Sequence, residues 1–396
     1  MRFSEIAGKT GLFIDGDWIE TKDQDPNGKV RLIQLADVGA GEFKNKSNRY
    51  ITETKAAELL CTYLKKGDLL IARLGEPLCK ACIFPCDGLY ITAVDVTILR
   101  VGNKAIEPKY LVYLLNSPWF KVQVKRYESG TTRKRISRKN LDRICMNFPP
   151  LPEQRRIVAR IEELFSELDS GVETLKKTKQ QLAVYRQSVY ASVYEENDMR
   201  PITEFFEISS GLTKNSKRDE LAIKMPYLRV ANVYYNELDL SEIKHIGVFE
   251  SEIPKTTLHK GDLLFVEGNG SKEQIGRVAI WDGSIENCLH QNHLIKGRPL
   301  GQMIPLYALF YLISAYGRKQ ILDVASSTSG LYTLSANKVR NLRIPFVDGE
   351  EQEKCVALIQ SRLSVCDSIE KTVDAALQQA ESMRQSILKK AFEGGL

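Results

Sequence analysis

The sequence has no apolar run long enough to cross a bilayer. Its longest uncharged apolar stretch, around Ile304 to Tyr316, falls short of the ~20 residues that a spanning helix needs. The opening Met1-Arg2-Phe3-Ser4-Glu5 lacks the apolar core of a secretory leader. Cysteine is sparse: eight in 396 residues, without a leader, read as reduced thiols rather than as a disulfide framework. A cytoplasmic location is expected. No glycine fingerprint opens a strand-turn-helix, and no Gly-x-x-x-x-Gly-Lys loop is present, so the usual cradles for a dinucleotide or a nucleoside triphosphate are missing. What remains, 43% apolar and 27% charged residues, is the composition of an ordinary globular chain long enough for two domains.

Charge is not evenly spread. The whole chain carries a net +6, yet Lys121 to Arg143 alone holds nine Lys or Arg against two acids, a local +7. This stretch includes Ser129-Gly130-Thr131-Thr132-Arg133-Lys134-Arg135. Such density suits the neutralisation of phosphates and the release of their counterions, although a charge run can also be a solvated face.

The organisation follows from an internal duplication. Glu153-Gln154 returns as Glu351-Gln352, and Tyr185-Arg186-Gln187-Ser188-Val189 returns as Met383-Arg384-Gln385-Ser386-Ile387, both displaced by 198 residues. Upstream, Lys66-Gly67-Asp68-Leu69-Leu70 returns as Lys260-Gly261-Asp262-Leu263-Leu264. Pro108-Lys109-Tyr110 returns as Pro305-Leu306-Tyr307, and Ser129-Gly130 as Ser329-Gly330. The shifts of 194 to 200 imply small loop insertions between two copies of one unit.

Each copy changes character partway. Val30 to Leu35, Ile91 to Leu99 and Val278 to Trp281 read as strands, and Lys109 to Val124 as one helix, which together indicate a mixed α and β domain. From Glu153 to Glu196 there is no proline and one glycine, and apolar residues recur at Ile157, Ile161, Leu164, Leu168, Val172, Leu175, Leu182, Tyr185, Val189 and Val193. Alternating steps of three and four mark a coiled-coil seam. The second copy repeats it from Val356 through Ile359, Leu363, Cys366, Ile369, Val373, Leu377, Ala380 and Met383 to Ile387. A helix of this length would span ~65 Å at 1.5 Å per residue, and an exposed stripe that long needs a partner. The duplicate helix, related by a pseudo-two-fold axis and so antiparallel, is the expected one. The expected class is α+β, with boundaries at 1–150 and 198–348 for the two mixed domains and at 151–197 and 349–396 for the long helices.

Two similar basic domains joined by stiff helices have the geometry of a reader of interrupted DNA sequence. The candidate contacts lie on polar and basic loops. In the first domain these are Lys44, Lys46, Asn48 and Arg49, then Thr131, Thr132, Arg133, Lys134, Arg135, Arg138 and Lys139. In the second they are Asn269, Ser271 and Lys272, Gln291 and Asn292, and Ser327, Thr328, Ser329 and Tyr332. Arg on guanine, and Asn or Gln on adenine, are the pairings expected in a major groove.

Asn147-Phe148-Pro149-Pro150-Leu151-Pro152-Glu153-Gln154-Arg155-Arg156-Ile157-Val158, the helix end Arg186-Gln187-Ser188 and the closing Ala391-Phe392-Glu393-Gly394 resemble the specificity subunit of type I restriction-modification enzymes. Arg31 to Leu35, Lys66 to Leu70, Gly261 to Gly268 and Glu286 to His293 resemble its target-recognition domains. The resemblance implies a non-catalytic subunit that reads a bipartite DNA site. It also implies two methyltransferase subunits docked on the helices and motor-nuclease subunits completing the complex. S-adenosylmethionine and ATP are then expected in those partners, with no cofactor bound by this chain. The second copy departs at Phe346-Val347-Asp348-Gly349-Glu350, where the second proline pair is missing.

Other classes remain to be weighed. A DNA-modifying enzyme would need an Asn or Asp followed by Pro-Pro and an aromatic to grip a flipped base, and Asn147-Phe148-Pro149-Pro150 has these in the wrong order. Asp239, Glu242 and Lys244 could suggest a nuclease, but scattered acids are usually solvated surface. Cys79, Cys82 and Cys86, or Cys288 with His290 and His293, offer three potential zinc ligands each where a closed site wants four; neither set recurs in the other copy. Trp18, Trp119 and Trp281 read as core. The third class is a coiled-coil scaffold joining two protein-binding domains, which would show no salt-dependent affinity for duplex DNA.

Overall fold

The computed structural model describes residues 1–194, 198–328 and 330–395. The chain divides into two units, Met1–Leu175 with Ala375–Leu396, and Lys176–Asp374. Both long helices, Leu151–Ala191 and Gly349–Glu393, contribute residues to each unit.

In the first unit a four-stranded antiparallel sheet runs in the order Leu12–Asp15, Val96–Arg100, Leu69–Ala72, Ala81–Ile83. Beside it stands a three-stranded sheet in which Val30–Ile33 pairs antiparallel with Tyr50–Ile51 and parallel with Tyr90–Thr92. The second unit repeats both. Its four strands are Val278–Ile280, Leu263–Val266, Leu294–Pro299 and Phe206–Ser210. Its three are Lys244–Gly247, Lys224–Leu228 and Leu289–His290, again one antiparallel and one parallel pair. The duplication seen as scattered motifs thus extends to the strand pairing of these two sheets.

The central strands are apolar on both faces because both faces are covered. Leu69 and Ile71 face a core with Phe3, Leu111 and Phe120, whereas Leu70 and Ile98 face Ile33 and Phe84. In the second unit Leu263 and Phe265 join Tyr307 and Phe310, while Leu264 and Val266 join Trp281 and Leu228. Period-2 alternation therefore sends successive residues into two separate cores.

Three expectations need correction. The segment Lys109 to Val124 is two helices, Pro108–Asn116 and Pro118–Lys125. Pro118 holds Ser117 in an extended conformation, and the Ser117 hydroxyl accepts from the Phe120 N–H at 3.3 Å, capping the second helix. Ser314 repeats the device between Pro305–Ile313 and Ala315–Val324. The run Ile91 to Leu99 is broken by a turn closed by Val96 N to Ala93 O at 2.9 Å, so its halves join different sheets. Trp18 is not core: it is 70% exposed, whereas Trp281 is buried and Trp119 packs against the first core.

The recurring motifs are structural devices. Gly67 and Gly261 adopt φ near +93° and +95°, a conformation natural to glycine. The aspartate that follows is buried. Asp68 accepts from Lys65 N at 2.8 Å, and Asp262 from His259 N at 2.8 Å. Gln154 and Gln352 are likewise buried at the start of the long helices. Gln154 accepts from Glu107 N at 2.9 Å and donates to Ala105 O and Pro149 O, both at 2.8 Å. Gln352 accepts from Ile304 N at 2.7 Å and donates to Val347 O at 2.9 Å. Each glutamine satisfies backbone groups that a buried helix entry would otherwise leave orphaned.

Within each unit the helix segments pair antiparallel. In the second unit Lys179 meets Asp374 at 2.7 Å and Arg186 meets Asp367 at 2.6 Å. In the first, Arg384 pairs with Asp169 and lies 4.5 Å from the Phe165 ring centroid, while Ile157 and Ile161 share a core with Leu388 and Ala391. The seam departs from the expected one at Tyr185, Ile369 and Met383, which are exposed. The next residues, Arg186, Glu370 and Arg384, are half-buried instead. On either side of these positions the expected seam holds, with Leu182 and Val189, Cys366 and Val373, and Ala380 buried, so the step there is four then three rather than three then four.

Candidate nucleic-acid interface

The basic stretch of the first unit is a short hairpin laid against the end of a central strand. Ser129 and Arg135 exchange backbone hydrogen bonds of 2.9 Å each, and Ile136 N donates to Arg73 O at 3.0 Å. Gly130 turns the chain at φ +93°, and a Cβ there would stand 2.4 Å from Arg133 O. The tip exposes Thr131, Thr132 and Arg133. Lys134 is drawn to Glu128 at 2.6 Å and Arg135 to Asp95 at 3.5 Å. Arg138 turns inward, donating to Phe13 O at 2.8 Å beside Asp15 at 3.4 Å. Lys139 is exposed.

The second unit builds the same feature more fully. Leu331–Thr333 pairs on one side with Ser326–Thr328 and on the other with Gly268–Asn269, and Leu334 N donates to Glu267 O at 2.7 Å, matching Ile136 and Arg73. This sheet gathers Asn269, Ser327, Thr328 and Tyr332, with Tyr332 opposite both Asn269 and Ser327. Asn269 accepts from Ser271 N at 2.9 Å, and the Ser271 hydroxyl donates to Glu273 at 2.7 Å. Lys272 is exposed. Ser329 lies outside the described residues. Gln291 and Asn292 reach the same neighbourhood, because Glu267 N donates to His293 O at 3.0 Å and His293 Nδ1 bonds the Glu267 carboxylate at 2.8 Å.

The loop of Lys44, Lys46, Asn48 and Arg49 belongs to the three-stranded sheet of the first unit. The buried Asp37 carboxylate accepts from Ser47 N at 2.7 Å and from the Ser47 hydroxyl, and Arg31 donates to Ser47 O at 2.5 Å. The loop is therefore anchored at Ser47. Lys46 and Asn48 are exposed beside this anchor, while Arg49 donates to Gln24 at 3.3 Å and Lys44 stands 3.9 Å from Glu42. The sequence reading missed Trp18, Gln24 and Arg73 as neighbours of these loops. The acidic and turn-forming residues around Trp18, from Asp15 to Glu20, were the available signal that it would not be core.

The other candidates take ordinary structural places. Cys79 and Cys82 are buried, and burial pushes each thiol up to about 12. His290 is buried with Nδ1 bonded to Thr256 O at 2.9 Å, and burial holds its ring down at about 4. Among the described residues no group of three or more His, Cys, Asp or Glu is placed to hold a metal ion. Glu242 pairs with Arg229 at 3.0 Å and Lys244 at 3.5 Å on the surface. Asp239 accepts from Ser241 N at 3.0 Å. No described helix is long and apolar enough to cross a membrane.

Comparison with known proteins follows the duplication. The family model described as type I restriction modification DNA specificity domain matches residues 5–182 and again 194–379. The chain is 26% identical over 313 residues to the specificity subunit of the type I enzyme EcoKI from Escherichia coli, covering 74% of this chain and 67% of that one. It is 25% identical to the StySPI specificity subunit from Salmonella potsdam over 74% of this chain and 66% of that one. In fold it resembles a chain from a structure of type I R-M complex assembly, with TM-score 0.73 at 18% identity over 100% of this chain and 97% of that one. It also resembles the HsdS subunit from Thermoanaerobacter tengcongensis, with TM-score 0.54 at 18% identity over 98% and 99%. With both copies matched in turn, the chain belongs to the type I restriction-modification DNA specificity family, whose members recognise DNA while catalysis resides in other subunits.

Proposed function

We propose that the chain reads a bipartite DNA site, one half with each mixed domain, and that the long helices carry methyltransferase subunits. The observation that carries this reading is the pair of topologically matched hairpins at Ser129–Arg135 and Ser326–Thr333. Each is laid against the end of a central strand, and the two present different side chains. One scaffold with two sets of loop residues suits two unlike half-sites. The first hairpin, rich in Arg and Lys, favours phosphate contacts and salt-sensitive affinity. The second, with Ser327 and Tyr332 beside Asn269 of the neighbouring strand, is poorer in charge and better suited to hydrogen-bonded contacts.

Exposed Leu358, Val365 and Ile369 on the second long helix, with Val184 and Tyr185 on the first, support protein docking on the helices. Apolar side chains grouped in this way favour a protein partner. In this reading S-adenosylmethionine and ATP are bound by the partner subunits, the complex is cytoplasmic, and motor-nuclease subunits complete it. The test is to map methylated adenines in the genome of cells with and without this chain. A two-part motif that disappears with the chain supports the reading; an unchanged methylation pattern overturns it. Insertion of whole turns into both helices should change the spacing between the half-sites, and an unchanged spacing counts against helices that set it.

A further inference from the structure

The first domain holds an exposed aromatic between its two basic loops. After the strand Leu12–Asp15 the chain crosses the end of Tyr90–Thr92, with Gly16 N donating to Val96 O at 2.9 Å and Asp17 N to Thr92 O at 2.8 Å. A Cβ on Gly16 would stand 2.2 Å from Ala93 O, so the crossing needs glycine. The next side chain but one, Trp18, is left 70% exposed. Its indole N–H donates to Glu20 at 3.3 Å, and Glu20 in turn pairs with Lys22 at 2.7 Å.

Trp18 lines an open cleft of about 330 Å³ with Asp17, Glu20, Gln24, Ala93 and Val94. Two of its lining residues lead to cations. Gln24 in its wall accepts from Arg49 at 3.3 Å. Val94 O accepts from Arg73 at 2.5 Å, and the adjacent Asp95 lies 3.5 Å from Arg135. The cleft thus joins the Lys44–Arg49 loop to the Ser129–Arg135 hairpin, two basic segments far apart in sequence.

The second domain repeats the crossing without the ring. Leu212 N donates to His290 O at 2.9 Å, and a Cβ on Gly211 would stand 2.1 Å from the same oxygen. Gly211 and Leu212 therefore correspond to Gly16 and Asp17, and Thr213 stands where the first domain has Trp18. The scaffold keeps the backbone and changes the side chain, as a position that distinguishes two half-sites should.

Resting on the DNA-reading function above, we propose that Trp18 is a specificity-determining contact of the first domain, its indole packing on a thymine 5-methyl group while Arg49 and Arg135 flank it on the phosphate backbone. The indole N–H is already engaged by Glu20, so the ring offers only apolar surface. The thymine methyl is the apolar group that a base pair displays in the major groove. An exposed indole between cations matches a polyanion that carries apolar edges, whereas the neighbouring carboxylates of Asp17 and Glu20 disfavour a bare phosphate at the ring itself.

The test uses the full chain assembled with its methyltransferase subunits and duplex DNA containing the mapped site. Hydroxyl-radical oxidation of Trp18, read by peptide mass spectrometry, should fall several-fold when DNA is added. Trp18→Ala should lower affinity about tenfold, with Trp18→Phe retaining most of it. Replacing thymines of the first half-site one at a time by uracil should reveal one position that lowers wild-type affinity about fourfold, the burial of one methyl group, and leaves Trp18→Ala unaffected. Site-selective binding with Trp18 still fully oxidisable, or with no uracil position coupled to it, overturns the contact and leaves the DNA-reading function standing. Failure of the assembled wild-type complex to select any site overturns both.

Discussion

Asp68 accepts two hydrogen bonds of 2.7 Å from the guanidinium of Arg100, and Asp262 repeats the arrangement with Arg298 at 3.1 and 2.9 Å. Both carboxylates are buried, and the pair ties a central strand to its neighbour. Breaking a buried bidentate pair leaves an uncompensated charge. Asp68→Ala should therefore destabilise the first unit by about 3 kcal/mol. The double variant Asp68→Ala with Arg100→Met should recover part of that loss. Denaturant unfolding of the four members of the cycle measures the coupling; additive losses would show that the two residues act independently.

The buried glutamines at the helix entries make a second expectation. Gln154→Ala removes the acceptor for Glu107 N and the donor to two carbonyls. An unsatisfied buried group costs about 1–3 kcal/mol, so the loss should reach at least that. Gln154→Glu, which keeps the acceptor but loses both donated bonds, should also destabilise. Thermal unfolding of the two variants checks both, and hydrogen exchange at Glu107 should accelerate.

Acid should weaken the second unit through His290. Burial depresses its folded value to about 4, whereas an unfolded histidine titrates near 6.5. The unfolded chain thus binds the proton first as pH falls. The contribution is fully present above about pH 6.5 and is progressively lost down to about pH 4. Its size is about 3 kcal/mol as an order of magnitude. His290→Asn keeps a donor to Thr256 O and has no titrating ring. Its stability should vary less than the wild type's between pH 7 and 4, and parallel curves would refute the assignment.

The hairpin tip should act through charge rather than base identity. Arg133 is exposed on a basic loop, so Arg133→Ala should weaken DNA binding by the assembled complex about equally across sequences. It should also reduce the salt slope by about one unit. Affinity measured over a range of salt concentrations for cognate and scrambled duplexes decides this. A loss confined to the cognate site would instead assign Arg133 to base readout.

Much of the architecture was legible because it is written in periodicity and repetition. The constant displacement of 198 residues between Gln154 and Gln352 announced two copies before any element was placed. The three-four spacing from Ile157 to Val189 announced a helix that is 41 residues long in the structure. A local steric rule was legible at Ser117-Pro118, whereas the same helix break at Ser314 has no proline and is marked only by the capping hydroxyl. The seam departed at Tyr185, Ile369 and Met383, where the half-buried residue is the next one along the chain and the seam returns one step later at Val189 and Val373.

The site was less legible, since it depends on contacts between distant segments. Nothing local to Lys66-Gly67-Asp68 reveals that the aspartate binds Arg100. Nothing local to Gln24 or Asp95 reveals that Gln24, in the wall of the cleft, binds Arg49, or that Asp95, next to the lining residue Val94, pairs with Arg135. The sequence alone determined the duplication, the long helices and the local excess of positive charge, because covalent order, periodicity and composition are properties of the chain itself. Only the tertiary structure decided which loops meet and that Trp18 stands in water rather than in a core. Burial and cross-strand pairing are set by segments dozens of residues apart, and a side chain's surroundings exist only once the chain has folded.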